Sequence, residues 1–117
     1  RLQQTIHAGK SGTDKYSIET YASQTARYCD DYHVYGAEWR QGYIQFTLDG
    51  KPTNRITQAD GNADAAQSGK SLYWPFDSYD LRLLVDLQYG KAGTWTGTPN
   101  LAELPSSMLI DYIRVYN

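Results

Sequence analysis

The sequence predicts an all-β protein, an antiparallel β-sandwich or jelly roll, built from a chain of 117 residues. Three observations lead there. Apolar and polar residues alternate with a period of two in several windows, which sets successive side chains on opposite faces of a strand. No window holds a sustained helical stripe. Turn chemistry separates the alternating windows, most plainly at Asp49-Gly50, a pair suited to the tight loop of a two-residue hairpin.

The first strand is expected over Leu2 to Ala8, with Leu2, Ile6 and Ala8 on one face and Gln3, Thr5 and His7 on the other. Residues 9 to 15, GKSGTDK, read as a loop, and YSIETYA from Tyr16 as a weaker strand. A strand over Tyr32 to Trp39 follows, ending in a turn around Arg40 to Gly42. The next puts Ile44, Phe46 and Leu48 on one face and Tyr43, Gln45 and Thr47 on the other. After Asp49-Gly50, Lys51 to Ile56 returns. Thr57 to Lys70 is small, polar and without periodicity, so it reads as a long surface loop. Pro75 marks a turn within LYWPF. Leu81, Leu83, Val85 and Leu87 form an inward stripe, opposed by Arg82, Leu84, Asp86 and Gln88. A Gly-rich loop leads to a last strand over Met108 to Tyr116, with Leu109, Asp111, Ile113 and Val115 on one face. Six or seven strands result, with no internal repeat, and such spacing suits a sandwich or jelly roll.

Bulk composition narrows the function. The length suits one domain, residues 1–117 forming a single β-sandwich unit. Eleven basic and 13 acidic residues are mixed along the chain for a net charge of -2. That lacks the concentrated positive field that nucleic acids or anionic membranes require, and no apolar run approaches the roughly 20 residues that span a bilayer. Cys29 is the only cysteine, so neither an internal disulfide nor a cysteine-rich metal site can form, and it reads as a free or buried thiol. The chain starts at Arg1 inside a strand, with no Met, signal peptide or polar lead-in. That start predicts a piece of a longer chain.

The acids argue against complete catalysis within these residues. Catalysis by a carboxyl pair, one group as nucleophile and one as acid, needs the two groups about 5–5.5 Å apart. On a strand only i and i+2 side chains, about 6.5–7 Å apart at the backbone, share a face closely enough to converge. Asp30 and Asp31 are neighbours, Asp77 and Asp80 are three apart, and Glu19, Glu38, Asp49, Glu103 and Asp111 have no i+2 partner. Asp111 is expected to share its face with Leu109, Ile113 and Val115, and a carboxylate there needs a cation or an Arg to offset its desolvation. His33, Tyr35, Ala37 and Trp39 share a face and read as core.

Three stretches, DYHVYGAEWRQGYIQFTLDGKP, WPFDSYDLRLLVDLQYGKAGTWTG and LPSSMLIDYIRVYN, together resemble the carboxyl-terminal half of glycoside hydrolase family 16, which includes laminarinases, lichenases, agarases and carrageenases. The resemblance runs over residues 31 to 117. It implies a concanavalin-like jelly roll of the legume-lectin type, incomplete here, whose concave sheet holds a polysaccharide or oligosaccharide. It also implies a β-glucan or galactan hydrolase that is secreted or periplasmic.

Two departures stand out. The family's E-x-D-x-x-E strand is absent from all 117 residues and is expected upstream of Arg1. Asp86 stands where many members carry a sugar-binding Asn. Substrate contact is assigned to Gln3, His7, Asp86, Gln88 and Trp95. His7 lies in HAG where the family has an HYG-like segment, and its alternative is an ordinary exposed strand histidine. Trp95 either stacks on a pyranose face or pins its own loop, and Trp74 divides between the same two roles. For Asp111 the resemblance implies a structural Ca²⁺, the alternative being a salt bridge. No catalytic cofactor is expected. The function is then part of a retaining endo-β-glycanase, or else a non-catalytic carbohydrate-binding β-sandwich. Exposed strand edges predict that the chain's own amino-terminal half or a homodimer partner covers it.

Overall fold

The structure is a computed structural model that describes residues 2–8, 16–21, 28, 30–67, 74–78, 80–94 and 96–116. Among the described residues the fold is all-β and antiparallel, with two sheets and one α-helix of ten residues. By internal contacts the chain divides into two units, Arg1–Leu81 and Arg82–Asn117. All five strands of the described residues lie in the first: β1 (Gln3–Ala8), β2 (Tyr16–Tyr21), β3 (Tyr35–Arg40), β4 (Tyr43–Leu48) and β5 (Lys51–Thr57).

β1 and β2 form a two-stranded sheet in which Gln4 faces Thr20 and Ile6 faces Ile18. Alternation in β1 works as expected. Gln4, Ile6 and Ala8 are buried, and Gln3 and His7 are exposed. The second sheet is a meander, β3-β4-β5, with two-residue loops at both ends of β4. Gly42 (φ 79°) closes the first loop; Asp49 (φ 52°) and Gly50 (φ 74°) form the second. Both residues of that second loop have positive φ, which matches the right-handed twist of the flanking strands, and Asp tolerates it better than most residues.

The core of this unit is Ile6 and Ala8 from β1, Ile44 from β4, Ile56 from β5, and Trp74 and Phe76, with Ile18 and Phe46 packed against it. The Trp74 and Phe76 rings meet edge to face at 4.9 Å, a geometry the aromatic quadrupole favours. Gln4 is buried too. Its amide joins the two sheets: Nε2 donates to Thr53 Oγ1 at 2.9 Å, and Oε1 accepts from Asn54 Nδ2 at 2.7 Å. Its backbone carbonyl also accepts from Thr20 Oγ1 at 2.7 Å.

A bulge explains a second buried amide. The ladder passes from Gln45 opposite Arg55 to Thr47 opposite Pro52, so Phe46 faces two residues, Thr53 and Asn54. Proline has no N–H to give a ladder and is tolerated beside such an irregularity on an edge strand. Gln45 Nε2 donates to the carbonyls of Phe46 (2.9 Å) and Asn54 (3.0 Å), and its Oε1 accepts from Arg55 Nε at 2.9 Å. Arg55 then lies over the Tyr43 ring at 4.5 Å.

The 57–70 loop expectation is corrected over most of its length. Gln58–Gln67 is a helix, α1, while residues 68–70 lie outside the described residues. It starts with a capping box. Thr57 Oγ1 accepts from Asp60 N at 3.0 Å, and Asp60 Oδ2 accepts from Thr57 N at 3.1 Å and from Thr57 Oγ1 at 2.7 Å. These bonds hold the Asp60 carboxyl below its ordinary pKa. Replacing Thr57 by Ala removes an N-cap and is expected to cost about 1 kcal/mol. Urea unfolding checks this; an unchanged midpoint would show that α1 does not depend on its cap.

In the second unit, the strands expected over 81–88 and 108–116 do not form. The alternation is present, yet no ladder partner pairs with it, and an unpaired alternating segment is not a strand. The inward stripe is therefore open: Leu83 is 66% and Leu87 55% exposed. Locally, Thr94 organises a turn, donating through Oγ1 to Lys91 O at 2.6 Å. Asn100 Oδ1 accepts from Ala102 N at 3.1 Å at the start of the short 3₁₀ turn Leu101–Glu103.

The core reading of the β3 aromatics is corrected as well: Tyr35 and Trp39 are exposed. The β1-β2 sheet is bonded to β5, through Gln4, Thr53 and Asn54, and β3 occupies the opposite edge of the meander. Trp74, by contrast, is buried, which places it with turn packing and removes it as an exposed platform. Among the described residues no helix is long and apolar enough to cross a membrane.

Candidate functional site

The open face of the β1-β2 sheet is where the sequence-assigned residues of the first unit gather. Alternation turns Gln3, Thr5 and His7 away from the core. The antiparallel register sets Glu19 opposite Thr5 and Ser17 opposite His7, and directly opposed residues share a face. Gln3 Nε2 donates to Thr5 Oγ1 at 3.2 Å. Amide, hydroxyl, imidazole and carboxylate groups thus lie side by side on one polar surface. Such a set can exchange hydrogen bonds with sugar hydroxyls. It holds one carboxylate, so it does not supply the pair that hydrolysis needs.

Thr5, Ser17 and Glu19 were not among the assigned contacts. Their signal was the antiparallel pairing of two short strands, which carries β2 residues onto the face set by β1. The other assigned residues lie elsewhere. Asp86 and Gln88 belong to the second unit and are exposed, and Trp95 is outside the described residues.

Asp111 is exposed, and so are Leu109, Ile113 and Val115 beside it. The apolar burial that would demand a partner for its carboxylate is not there. No group of three or more His, Cys, Asp or Glu gathers among the described residues.

His33 turns out to be paired rather than simply packed. Its Nδ1 lies 2.9 Å from Asp49 Oδ2, and Tyr28 and Tyr35 meet its ring edge to face at 5.5 and 6.3 Å. Asp49 Oδ1 accepts from Val34 N at 2.9 Å, and Asp49 N donates to Val34 O at 2.8 Å. The loop acid thereby ties the approach to β3 onto the tip of the β4-β5 hairpin. First the Val34 N–H and then the His33 ring hold the Asp49 carboxyl below its ordinary pKa.

The sign of the consequence follows from linkage. A carboxyl whose folded pKa is depressed contributes stability fully above its unfolded value, about 3.9, and loses it as pH falls through the folded one. Asp49→Asn should flatten the acid limb of the stability profile below about pH 4 and leave its alkaline side unchanged. Equal acid slopes for both proteins would remove this role.

Comparison with known proteins decides the lineage. A family described as "Glycosyl hydrolases family 16" matches residues 1–112. The chain belongs to that family. As a family 16 chain it is 34% identical over 121 residues to a glucan endo-1,3-beta-glucosidase A1 of Niallia circulans, covering 96% of this chain and 16% of that protein. It is also 34% identical over 116 residues to a keratan-sulfate endo-1,4-beta-galactosidase of Sphingobacterium multivorum, covering 98% of the chain and 25% of that protein. A beta-glucanase of Fibrobacter succinogenes is 25% identical over 115 residues, covering 98% and 29%. The family 16 chain therefore spans less than a third of the length of each of these relatives. No solved structure matches it significantly. The family match begins at residue 1, so β1 and β2, with their open polar face, lie inside the matched region.

Proposed function

We propose that this chain is part of a retaining endo-β-glycanase, with β1 and β2 contributing a face that binds the polysaccharide. The observation that carries the reading is the open face itself, where Gln3 and His7 stand exposed beside Thr5, Ser17 and Glu19. Family membership and the printed names of the relatives, two glucanases and a galactosidase, support it. The catalytic carboxylates belong to protein outside these 117 residues, because no E-x-D-x-x-E strand occurs among them. One supplied carboxyl acts as nucleophile and the other as acid and then base. The present face holds and orients the sugar chain by hydrogen bonds to its hydroxyls. Asp86, Gln88 and Trp95 are proposed separately, as sugar contacts of the second unit.

His7→Ala tests this in the whole protein. Loss of one hydrogen bond of about 0.5–1.5 kcal/mol predicts a fall in kcat/KM of up to about tenfold on a β-1,3-glucan, with unchanged thermal stability. Unchanged kinetics would remove His7 from the contact set.

A second reading is favoured by the same missing carboxylate pair: a carbohydrate-binding β-sandwich without chemistry. Denaturing and native mass spectrometry of the natively isolated protein separates the two. A longer parent, or a companion polypeptide carrying E-x-D-x-x-E, supports the enzyme, and a single species of about 13 kDa, the mass of this chain, supports the binding module.

A further inference from the structure

We infer that the open stripe Leu81 to Leu87 is a docking edge for a second copy of this chain, the two copies adding strand to strand in antiparallel register about Leu84. The inference concerns assembly and stands apart from the sugar-binding reading above.

The segment DLRLLVDLQ, residues 80–88, is exposed throughout, with Leu84 at its centre 84% exposed. Among the described residues neither Arg82 nor Asp86 makes a hydrogen bond or an ion pair. The segment has the alternation of a strand and lacks a neighbour to give its backbone a ladder. Its own sequence supplies one. Laid antiparallel against itself with Leu84 opposite Leu84, it sets Leu81 opposite Leu87 and Leu83 opposite Val85 on one face. On the other face Arg82 meets Asp86 twice, once on each side of Leu84. Directly opposed residues of an antiparallel pair share a face, and opposite charges there are stabilising.

The charges also choose the register. A slip of one residue in either direction sets both Arg82 and Asp86 opposite apolar side chains and mixes the two faces. A slip of two sets Asp86 opposite Asp80 in one direction and opposite Leu84 in the other. Only the alignment about Leu84 satisfies both charges and keeps the apolar stripes together. Each copy uses the same residues, so the contact is isologous and closes at two chains. A carboxylate has several acceptor sites, so an Asp86 bonded to Arg82 keeps others for a sugar hydroxyl.

Sedimentation of the whole protein over a dilution series tests this, with Arg82→Asp and Asp86→Arg beside the wild type. The wild type should reach a dimer. Each variant sets like charges opposite each other twice and should raise the dimer dissociation constant at least about tenfold, which corresponds to about 1.4 kcal/mol. An equal mixture of the two variants should assemble again, with a dissociation constant within about threefold of the wild type, because each copy then carries the sign that the other lacks. A variant that had lost its fold would not be rescued in this way. A wild type that stays monomeric at every concentration overturns the inference and leaves the remainder of a longer polypeptide to cover the stripe. So do dimers that tolerate both substitutions, which would place the contact elsewhere, and variants that stay apart when mixed.

Discussion

Trp74→Ala is expected to be among the most damaging single changes in the first unit, destabilising it by about 3–5 kcal/mol. The indole is 8% exposed and packs edge to face on Phe76, so truncation opens a cavity that the surrounding sheets can only partly fill. It also has a polar end. Trp74 Nε1 donates to Asp77 Oδ1 at 3.1 Å, and the same carboxylate accepts from Gly42 N at 3.0 and 3.1 Å. The 3₁₀ turn Pro75–Asp77 is thereby fixed to the β3-β4 hairpin loop. Trp74→Phe separates the two contributions, because it keeps much of the ring and deletes the N–H; it should cost less than Trp74→Ala and leave Asp77 bonded to Gly42. Urea unfolding of the whole protein measures both. A loss below about 1 kcal/mol for Trp74→Ala would show that the ring is not part of a cooperative core.

Ile56→Ala should cost about 2–5 kcal/mol. Ile56 is 1% exposed and pairs across the ladder with Ile44, itself 7% exposed. It stands where the meander meets the face of β1 that carries Ile6 and Ala8. Its cross-ladder partner Ile44 is β-branched too, and both are held in the β4-β5 ladder, which leaves little freedom to collapse into the space. Ile56→Val deletes one methylene and is expected to cost about 0.5–1.5 kcal/mol. The ratio of the two values tests the packing: equal losses would indicate local rearrangement rather than a cavity.

Much of the first unit was legible because its signals are local. Asp49-Gly50 fixed one hairpin, and alternation in β1 sorted Gln3, Thr5 and His7 from Ile6 and Ala8 correctly. α1 was missed for a physical reason. QADGNADAAQ has no apolar stripe and carries a glycine in its second turn, so periodicity was silent. The legible clue was Thr57 followed three residues later by Asp60, a capping box with Asp in place of the usual Glu.

Non-local features were the other loss. Asp49 was legible as a turn former but not as the partner of His33, 16 residues away. Gln45 faces away from the core by alternation and is nonetheless buried, because the bulge turns its amide onto two carbonyls and Arg55 covers it. Beyond the meander, alternation at Leu81 to Leu87 and Met108 to Tyr116 described faces without specifying any pairing. Family membership was legible in both units, in landmarks spread over residues 31 to 117. That reach shows that sequence pattern can mark ancestry where it does not by itself build a ladder.

The Gln4 amide also solves an ambiguity that hydrophobic patterning leaves open. A slip of one residue between β1 and its neighbours turns every apolar side chain to the wrong side and is rejected at once. A slip of two keeps Ile6 and Ala8 facing inward, so burial alone barely distinguishes it from the native alignment. The amide does distinguish it, since such a slip carries Gln4 away from Thr20 and from Thr53 and Asn54, its partners in the native alignment. A buried polar group left unmatched is costly where a displaced methyl is not. Gln4 thus serves as a vernier: the apolar stripe sets the coarse position of the strand, and one side chain reads the fine one.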